Sequence, residues 1–259
     1  MSGNGTDIFS KIPDLDYTEA APEIDVLEFE KVIQSRRSVR VYKDEPLDDK
    51  IMERCLEIGL MAPNSSNLQP WEFYRVKSPE KKAIIAKFCL NQPAARTAPE
   101  LIICVARRDT WRTHAKQMVE FFEQSEQAVP DSAYGYYKKI VYFANTVGPC
   151  GVLGFLKRIM IFFLRFTKVL PGGNSSIADL RVWMHKSTAL ACQNLMLAFR
   201  AYGYDTCPME GFDEKKVSNF LELPRTAEPC MILSVGKRAD NGVYGPQIRF
   251  PKEQFIKTI

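Results

Sequence analysis

Leu101-Ile102-Ile103-Cys104-Val105-Ala106 is a run of six apolar residues without a polar interruption. A strand with one wet face alternates, so an unbroken run of this length reads as a strand covered on both faces. Upstream, Trp71-Glu72-Phe73-Tyr74-Arg75-Val76 reads as a second strand. Downstream, Met231-Ile232-Leu233-Ser234-Val235 reads as a last buried strand, ended by Gly236. Helical spacing surrounds them. Val26, Phe29, Val32 and Ile33 fall on one face of a helix that Asp25 caps. Pro46 and Asp48 open another, with Ile51, Met52, Cys55, Leu56 and Ile58 apolar. Ser78-Pro79-Glu80 starts a third, running to Phe88, with proline in its first turn. Asp179 to Tyr202 predicts a long central helix, apolar on most sides. Helices outnumber strands and no long repeat is present, so the expected class is α+β, layered around one sheet.

The 259 residues carry a net charge of +4, with 46% hydrophobic and 25% charged residues. That balance excludes a disordered or low-complexity chain and argues against nucleic acid as a partner. Seven scattered cysteines without a CxxC, and only two histidines, make a zinc site or a disulfide framework improbable. A cytoplasmic setting is expected. Residues 1–25 sum to −5 and contain Pro13 and Pro22. They read as an acidic N-terminal arm on a single domain spanning 26–259.

Residues 132–178 stand apart, with six bases (Lys138, Lys139, Lys157, Arg158, Arg165, Lys168) and no acid. On a helical wheel with Lys157 at zero, Lys168, Arg165 and Arg158 fall at about 20°, 80° and 100°. They share one face with Ile161, opposite Phe155, Ile159, Phe162, Phe163 and Phe166. The segment is too interrupted to span a bilayer, which takes roughly 20 apolar residues. A lid over a cleft, subunit packing, a plain core helix and weak membrane-surface contact through Phe155 to Lys168 all stay open.

No GxGxxG, P-loop, HExxH or GxSxG occurs, and His114 and His185 have no obvious carboxylate or nucleophile partner in sequence. An enzyme built from this chain would draw its hard chemistry from a cofactor. Four elements could hold one. Arg36, Arg37, Ser38 and Arg40 put three guanidinium groups and a hydroxyl at a helix end, a donor set suited to phosphate. Ala62-Pro63-Asn64-Ser65-Ser66-Asn67-Leu68-Gln69-Pro70-Trp71 is a polar loop stiffened by prolines. Cys207-Pro208-Met209-Glu210-Gly211-Phe212-Asp213 contains a glycine that permits close backbone approach to a flat ligand. Gln247-Ile248-Arg249 adds a late cation.

These four elements, in this order, resemble the nitroreductase family of FMN-dependent flavoproteins. The resemblance covers about Val26 to Arg249. It implies a three-layer α+β fold with a central, mostly antiparallel sheet flanked by helices. It also implies an intertwined homodimer with FMN at the interface. By that resemblance Arg36 and Ser38 bind the phosphate and ribityl region, with Arg37 counted beside them, and Arg40 lies near the pyrimidine edge. Pro63, Asn64, Ser65 and Asn67 come from the opposite subunit. Asn91 contacts the isoalloxazine, Pro208, Glu210 and Gly211 lie beside its reactive edge, and Arg249 is a late phosphate ligand. No side chain is expected to act as a catalytic nucleophile, and no metal is expected.

The implied activity is hydride transfer from NADH or NADPH, through FMN, to a small electron-poor acceptor such as a nitroaromatic, a quinone or a flavin. Two departures from relatives are Ala94 and Gln247, where some carry a basic residue. A reductive dehalogenase or flavin-modifying enzyme of the same fold is an alternative, with Glu120, Tyr134, Tyr136, Tyr137 and Lys138 in the region of a substrate clamp. A non-catalytic FMN-binding or sensing protein is another, and a membrane-peripheral module a third.

Overall fold

The computed structural model describes residues 17–259. The first sixteen positions of the expected arm lie outside the described residues, and 17–25 are exposed without regular structure. Helix α1 (Val26–Ser35) begins after Asp25, whose carboxylate accepts from the Glu28 N–H at 3.1 Å. Helix α2 (Asp49–Leu60) starts likewise after Asp48. Strand β1 (Trp71–Val76), α3 (Pro79–Phe88), a short α4 (Pro93–Thr97) and β2 (Glu100–Arg107) follow. Next come α5 (Trp111–Gln124), α6 (Asp131–Gly135), a π-helical turn (Tyr136–Ile140), α7 (Val141–Asn145) and α8 (Val152–Leu164). The chain closes with α9 (Ile177–Ala201), β3 (Asp205–Met209), α10 (Glu214–Phe220) and β4 (Ala227–Gly236).

The strands form one sheet in the order β1-β2-β4-β3, antiparallel at every pairing. β2 lies inside, as its apolar run requires, and is buried along nearly its whole length. Successive side chains point to opposite faces. Leu101, Ile103 and Val105 join Ile85, Cys89 and Ile232 under α3 and α4. Ile102 and Cys104 join Cys55, Leu195 and Phe199 under α2 and α9. Both faces are therefore covered, which gives the three layers. α2 crosses α9 closely at Gly59, where an added Cβ would sit 2.7 Å from Leu195. Strand β3 was not evident from sequence: its five residues do not alternate and include Pro208. Proline is tolerated there because β3 is an edge strand.

The apolar face of α1 is left uncovered: Val26, Phe29 and Ile33 are exposed and no residue of the helix is buried. Helical spacing marks an apolar stripe without saying what covers it. One expectation, in α8, needs correction. Lys157 does not share a solvated cationic face; it is buried beside Ile161. Its ammonium donates to the carbonyls of Ala144 (2.9 Å), Phe143 (3.0 Å), Thr146 (3.3 Å) and Asn174. These include free carbonyls at the end of α7, which a cation satisfies well. Burial still pushes the Lys157 pKa below the usual lysine value. The aromatic side of α8 faces outward instead. Gly154 lets the helix approach this closely, since a Cβ there would meet the Ser175 carbonyl oxygen at 2.0 Å.

Candidate active site

Beyond α1 the chain runs extended along the free edge of β3. Ser38 pairs with Thr206, the Val39 N–H donates to the Thr206 carbonyl at 3.1 Å, and the Arg40 N–H donates to the Gly242 carbonyl at 2.7 Å. Val39 points into the core and is fully buried. The alternation leaves Ser38 and Arg40 on the outer side. A neighbouring ion cluster fixes this segment. Buried Asp205 accepts from Arg200 at 2.9 Å and from Arg238 at 2.7 Å, and Arg238 also donates to the Ser35 carbonyl at 3.3 Å. Two guanidiniums on one carboxylate hold the end of α1 against the start of β3.

The result is a cleft of about 300 Å³ lined by Arg36, Arg37, Ser38 and Arg40 on one side and residues 243–249 on the other. Arg37 donates to the Gly245 carbonyl, and the Arg40 guanidinium lies 5.3 Å from the Tyr244 ring centre. Arg249 donates to the Ile248 carbonyl at 2.7 Å. No acid lines the cleft. None of the four arginines has an ion pair among the described residues. Four uncompensated guanidiniums in one concavity raise the local potential and favour a multiply charged anion. The Gly/Pro-rich stretch before Arg249 was visible in sequence as a turn signal at Gly245-Pro246, but it did not show that Tyr244 and Gly245 would line the cleft.

The second group meets at the far end of β3. The Gln92 amide donates to the Gly211 carbonyl at 2.8 Å, and the Asp213 N–H donates to the Phe88 carbonyl at 2.9 Å. These bonds bring Asn91 beside Glu210 and Gly211. Leu90 and Asn91 both hold left-handed backbone, with φ of 58° and 53°. Asn91, Glu210 and Gly211 are exposed, and Pro208 is half-buried between the two ends. From Thr206 to Met209 the strand advances roughly 10 Å, and Glu210 and Gly211 follow its end in a tight turn.

The third group is apart. Pro63, Asn64, Ser65 and Asn67 occupy the turn before β1, at the opposite edge of the sheet. Three strand spacings of about 4.8 Å each separate β1 from β3. One chain therefore does not bring this loop to the arginines. Its own bonds keep it in shape: Asn64 Oδ1 accepts from the Gln69 N–H at 2.8 Å. Tyr136 and Tyr137 hold it from below, through the Ser66 hydroxyl (2.6 Å) and the Ser66 carbonyl (2.9 Å). The Leu68 carbonyl lies 2.6 Å from His114 Nδ1. Pro63, Ser65 and Asn67 remain exposed.

In the region of the alternative clamp, Tyr137 is core, Lys138 pairs with Glu123 at 3.7 Å, and Glu120 pairs with Lys116 at 3.4 Å. Tyr136 and Tyr137 buttress the loop, while Tyr134 packs edge-on against Phe122. His185 does have a carboxylate partner: its Nε2 is 3.1 Å from Glu228, which also accepts from Arg181 at 2.7 Å. The Cys230 side chain raises the His185 pKa, burial opposes this, and Glu228 raises it further. All seven cysteines are free, and burial pushes the Cys55 thiol up to about 12 and Cys89 to about 11. Burial thus keeps the thiols of Cys55 and Cys89 protonated and poorly nucleophilic. No group of His, Cys, Asp or Glu among the described residues could hold a metal ion.

Comparison with known proteins identifies the family. The profile of the Nitroreductase family matches residues 33–147 and 160–237. The 4-nitrobenzoate reductase of Pseudomonas putida is 25% identical over 230 residues, covering 87% of this chain and 92% of that protein. An NADH dehydrogenase of Thermus thermophilus is 24% identical over 231 residues, covering 89% and 96%. A structure from Exiguobacterium sibiricum, described as a nitroreductase in complex with FMN, superposes with a TM-score of 0.66 at 23% identity. That superposition covers 94% of this chain and all of the other. A profile match over most of the chain, on an antiparallel sheet with helices on both faces, places this protein in the nitroreductase family.

Proposed function

We propose that the protein is an FMN-dependent oxidoreductase that takes hydride from NADH or NADPH and delivers it to a small electron-poor acceptor. The observation that carries this reading is the cleft of four arginines without an acid. Its donor chemistry fits a phosphate monoester: planar forks from Arg36, Arg37 and Arg249, and the Ser38 hydroxyl. The exposed Asn91, Glu210 and Gly211, at the other end of β3, fit the polar edge of a flat ring. FMN joins an anionic end to such a ring, and when bound it supplies two-electron hydride exchange.

The residues of this chain bind and orient. Arg36, Arg37, Ser38 and Arg249 hold the phosphate. Arg40 fixes a cation beside the ring's pyrimidine edge, which raises the midpoint potential by favouring the more negative redox form. Pro208, Glu210 and Gly211 present backbone to the ring with little side-chain bulk at Gly211, leaving room for a second flat molecule. Pro63, Asn64, Ser65 and Asn67 complete the site from a second copy of the chain. Two features support a homodimer: this loop lies at the wrong sheet edge of its own chain, and α1 exposes its apolar face. A reducing, cytoplasmic setting accords with seven unpaired thiols.

Reconstitution tests this reading. Purified protein should take up added FMN, turn yellow and bleach on mixing with NADH or NADPH under anaerobic conditions. Arg36→Ala should weaken FMN binding about tenfold to a hundredfold. Protein that stays colourless, or an Arg36→Ala variant that binds FMN like the parent, overturns it. A flavin that binds but is not bleached by either nucleotide would favour an FMN-sensing role.

A further inference from the structure

We infer that the outward face of α8 docks on an anionic lipid membrane. The face is broad and apolar: Phe155, Leu156, Phe162, Phe163 and Phe166 are 63%, 55%, 59%, 64% and 74% exposed. It continues into an apolar groove between α7 and α8, about 560 Å³, bordered by Tyr142, Phe143, Leu153 and Met160. A contiguous apolar surface of this kind needs a cover.

The charges select the cover. Arg158, Arg165 and Lys168 are exposed along one flank of the aromatic stripe; Asp179 lines the cleft beside Arg158 and Arg165 and offsets one of these charges, so the flank stays net positive. From 132 to 178 the sequence holds six bases and no acid. A second copy laid symmetrically on this face would set its cations against the same cations. An anionic bilayer offers apolar depth for the rings and negative headgroups for the flank. Thirteen helical residues reach about 20 Å, too short to cross a bilayer, so α8 lies in the interface. No single described helix is long and apolar enough to span one. Lys157 fixes the roll of α8: with its ammonium bound to carbonyls of α7, α8 cannot turn its rings inward without breaking those bonds. The family match also breaks over 148–159, which includes the first eight of the thirteen residues of this helix.

The test uses full-length protein loaded with FMN, in vesicle flotation. One set of vesicles is phosphatidylcholine; the other is an equimolar mixture with phosphatidylglycerol. Partition onto the anionic vesicles should exceed that onto the neutral ones by roughly tenfold and fall as salt is raised. Phe162→Ser/Phe163→Ser and, separately, Arg158→Glu/Arg165→Glu should each lower it about tenfold. Native mass by light scattering should stay unchanged in both variants. Absence of flotation on anionic vesicles overturns the proposal, as does equal flotation of parent and both variants. A reduced native mass in the phenylalanine variant also overturns it, because a second copy then covers the face. FMN content measured in the same samples separates failure of docking from failure of the site.

Discussion

The arginine cleft and the α8 anchor dispose of positive charge in opposite ways. Lys157 is nearly sealed from water and surrounded by four carbonyls, so its charge is spent inside the fold. Arg36, Arg37, Arg40 and Arg249 line an open concavity, reach at most a backbone carbonyl or a ring, and face no acid. The first arrangement is complete without a ligand. The second is not. A cation counts as a functional candidate when its compensation is missing, not merely when it belongs to a cluster.

That contrast breaks most readily at Lys157. Lys157→Met removes the donor from four carbonyls and should destabilise the fold by about 3 kcal/mol in urea denaturation. FMN affinity of the folded fraction should stay within about twofold. Arg36→Ala should do the reverse: FMN affinity falls by about 2 kcal/mol equivalent, while the urea midpoint of FMN-free protein barely moves. If both variants lose stability alike, the cleft is a structural ion cluster and the contrast fails. Gly154→Ala sharpens the anchor side. Its methyl meets the Ser175 backbone and should cost about 1.5 kcal/mol, read as a lowered Tm.

The smallest effect concerns pH. The folded pKa of His185 is raised, first by Cys230 and then by Glu228, against burial. Its contribution is therefore complete below the unfolded value of about 6.5 and is lost as pH rises through the folded pKa. Glu228 is lowered: burial would raise it, but His185 and Arg181 outweigh burial. Its contribution is present above about 4.5 and lost as pH falls. His185→Gln should flatten the decline in Tm between about pH 6 and 8, by less than about 1 kcal/mol. An unchanged slope would show that another group dominates that window.

Local sequence made much of the fold legible. LIICVA implied an inner strand, and Asp25, Asp48 and Ser78 marked three helix starts that the hydrogen bonds reproduce. β3 escaped because an edge strand of five residues with a proline carries no period. Within the site, Arg36, Arg37, Ser38, Arg40 and Arg249 were readable as a set, and they line one cleft. The wheel for 155–168 sorted apolar from charged residues, but it grouped buried Lys157 with the exposed Arg158, Arg165 and Lys168. Periodicity carries no sign: it cannot tell that Lys157 meets four carbonyls from 11 to 17 residues away while the phenylalanines face outward. Nor could it pair His185 with Glu228, 43 residues on.

The turn before β1 has a further consequence. Ser66, Asn67 and Gln69 all adopt left-handed backbone, with φ of 59°, 47° and 43°, at positions without glycine. Such residues carry strain of order 1 kcal/mol each, and Tyr136, Tyr137 and His114 clamp the turn in that shape. The loop is thus a rigid finished part before any partner arrives. Two copies meeting at this surface would join by rigid docking, with little disorder left to lose, so their encounter rate should be set by collision and orientation rather than by loop folding.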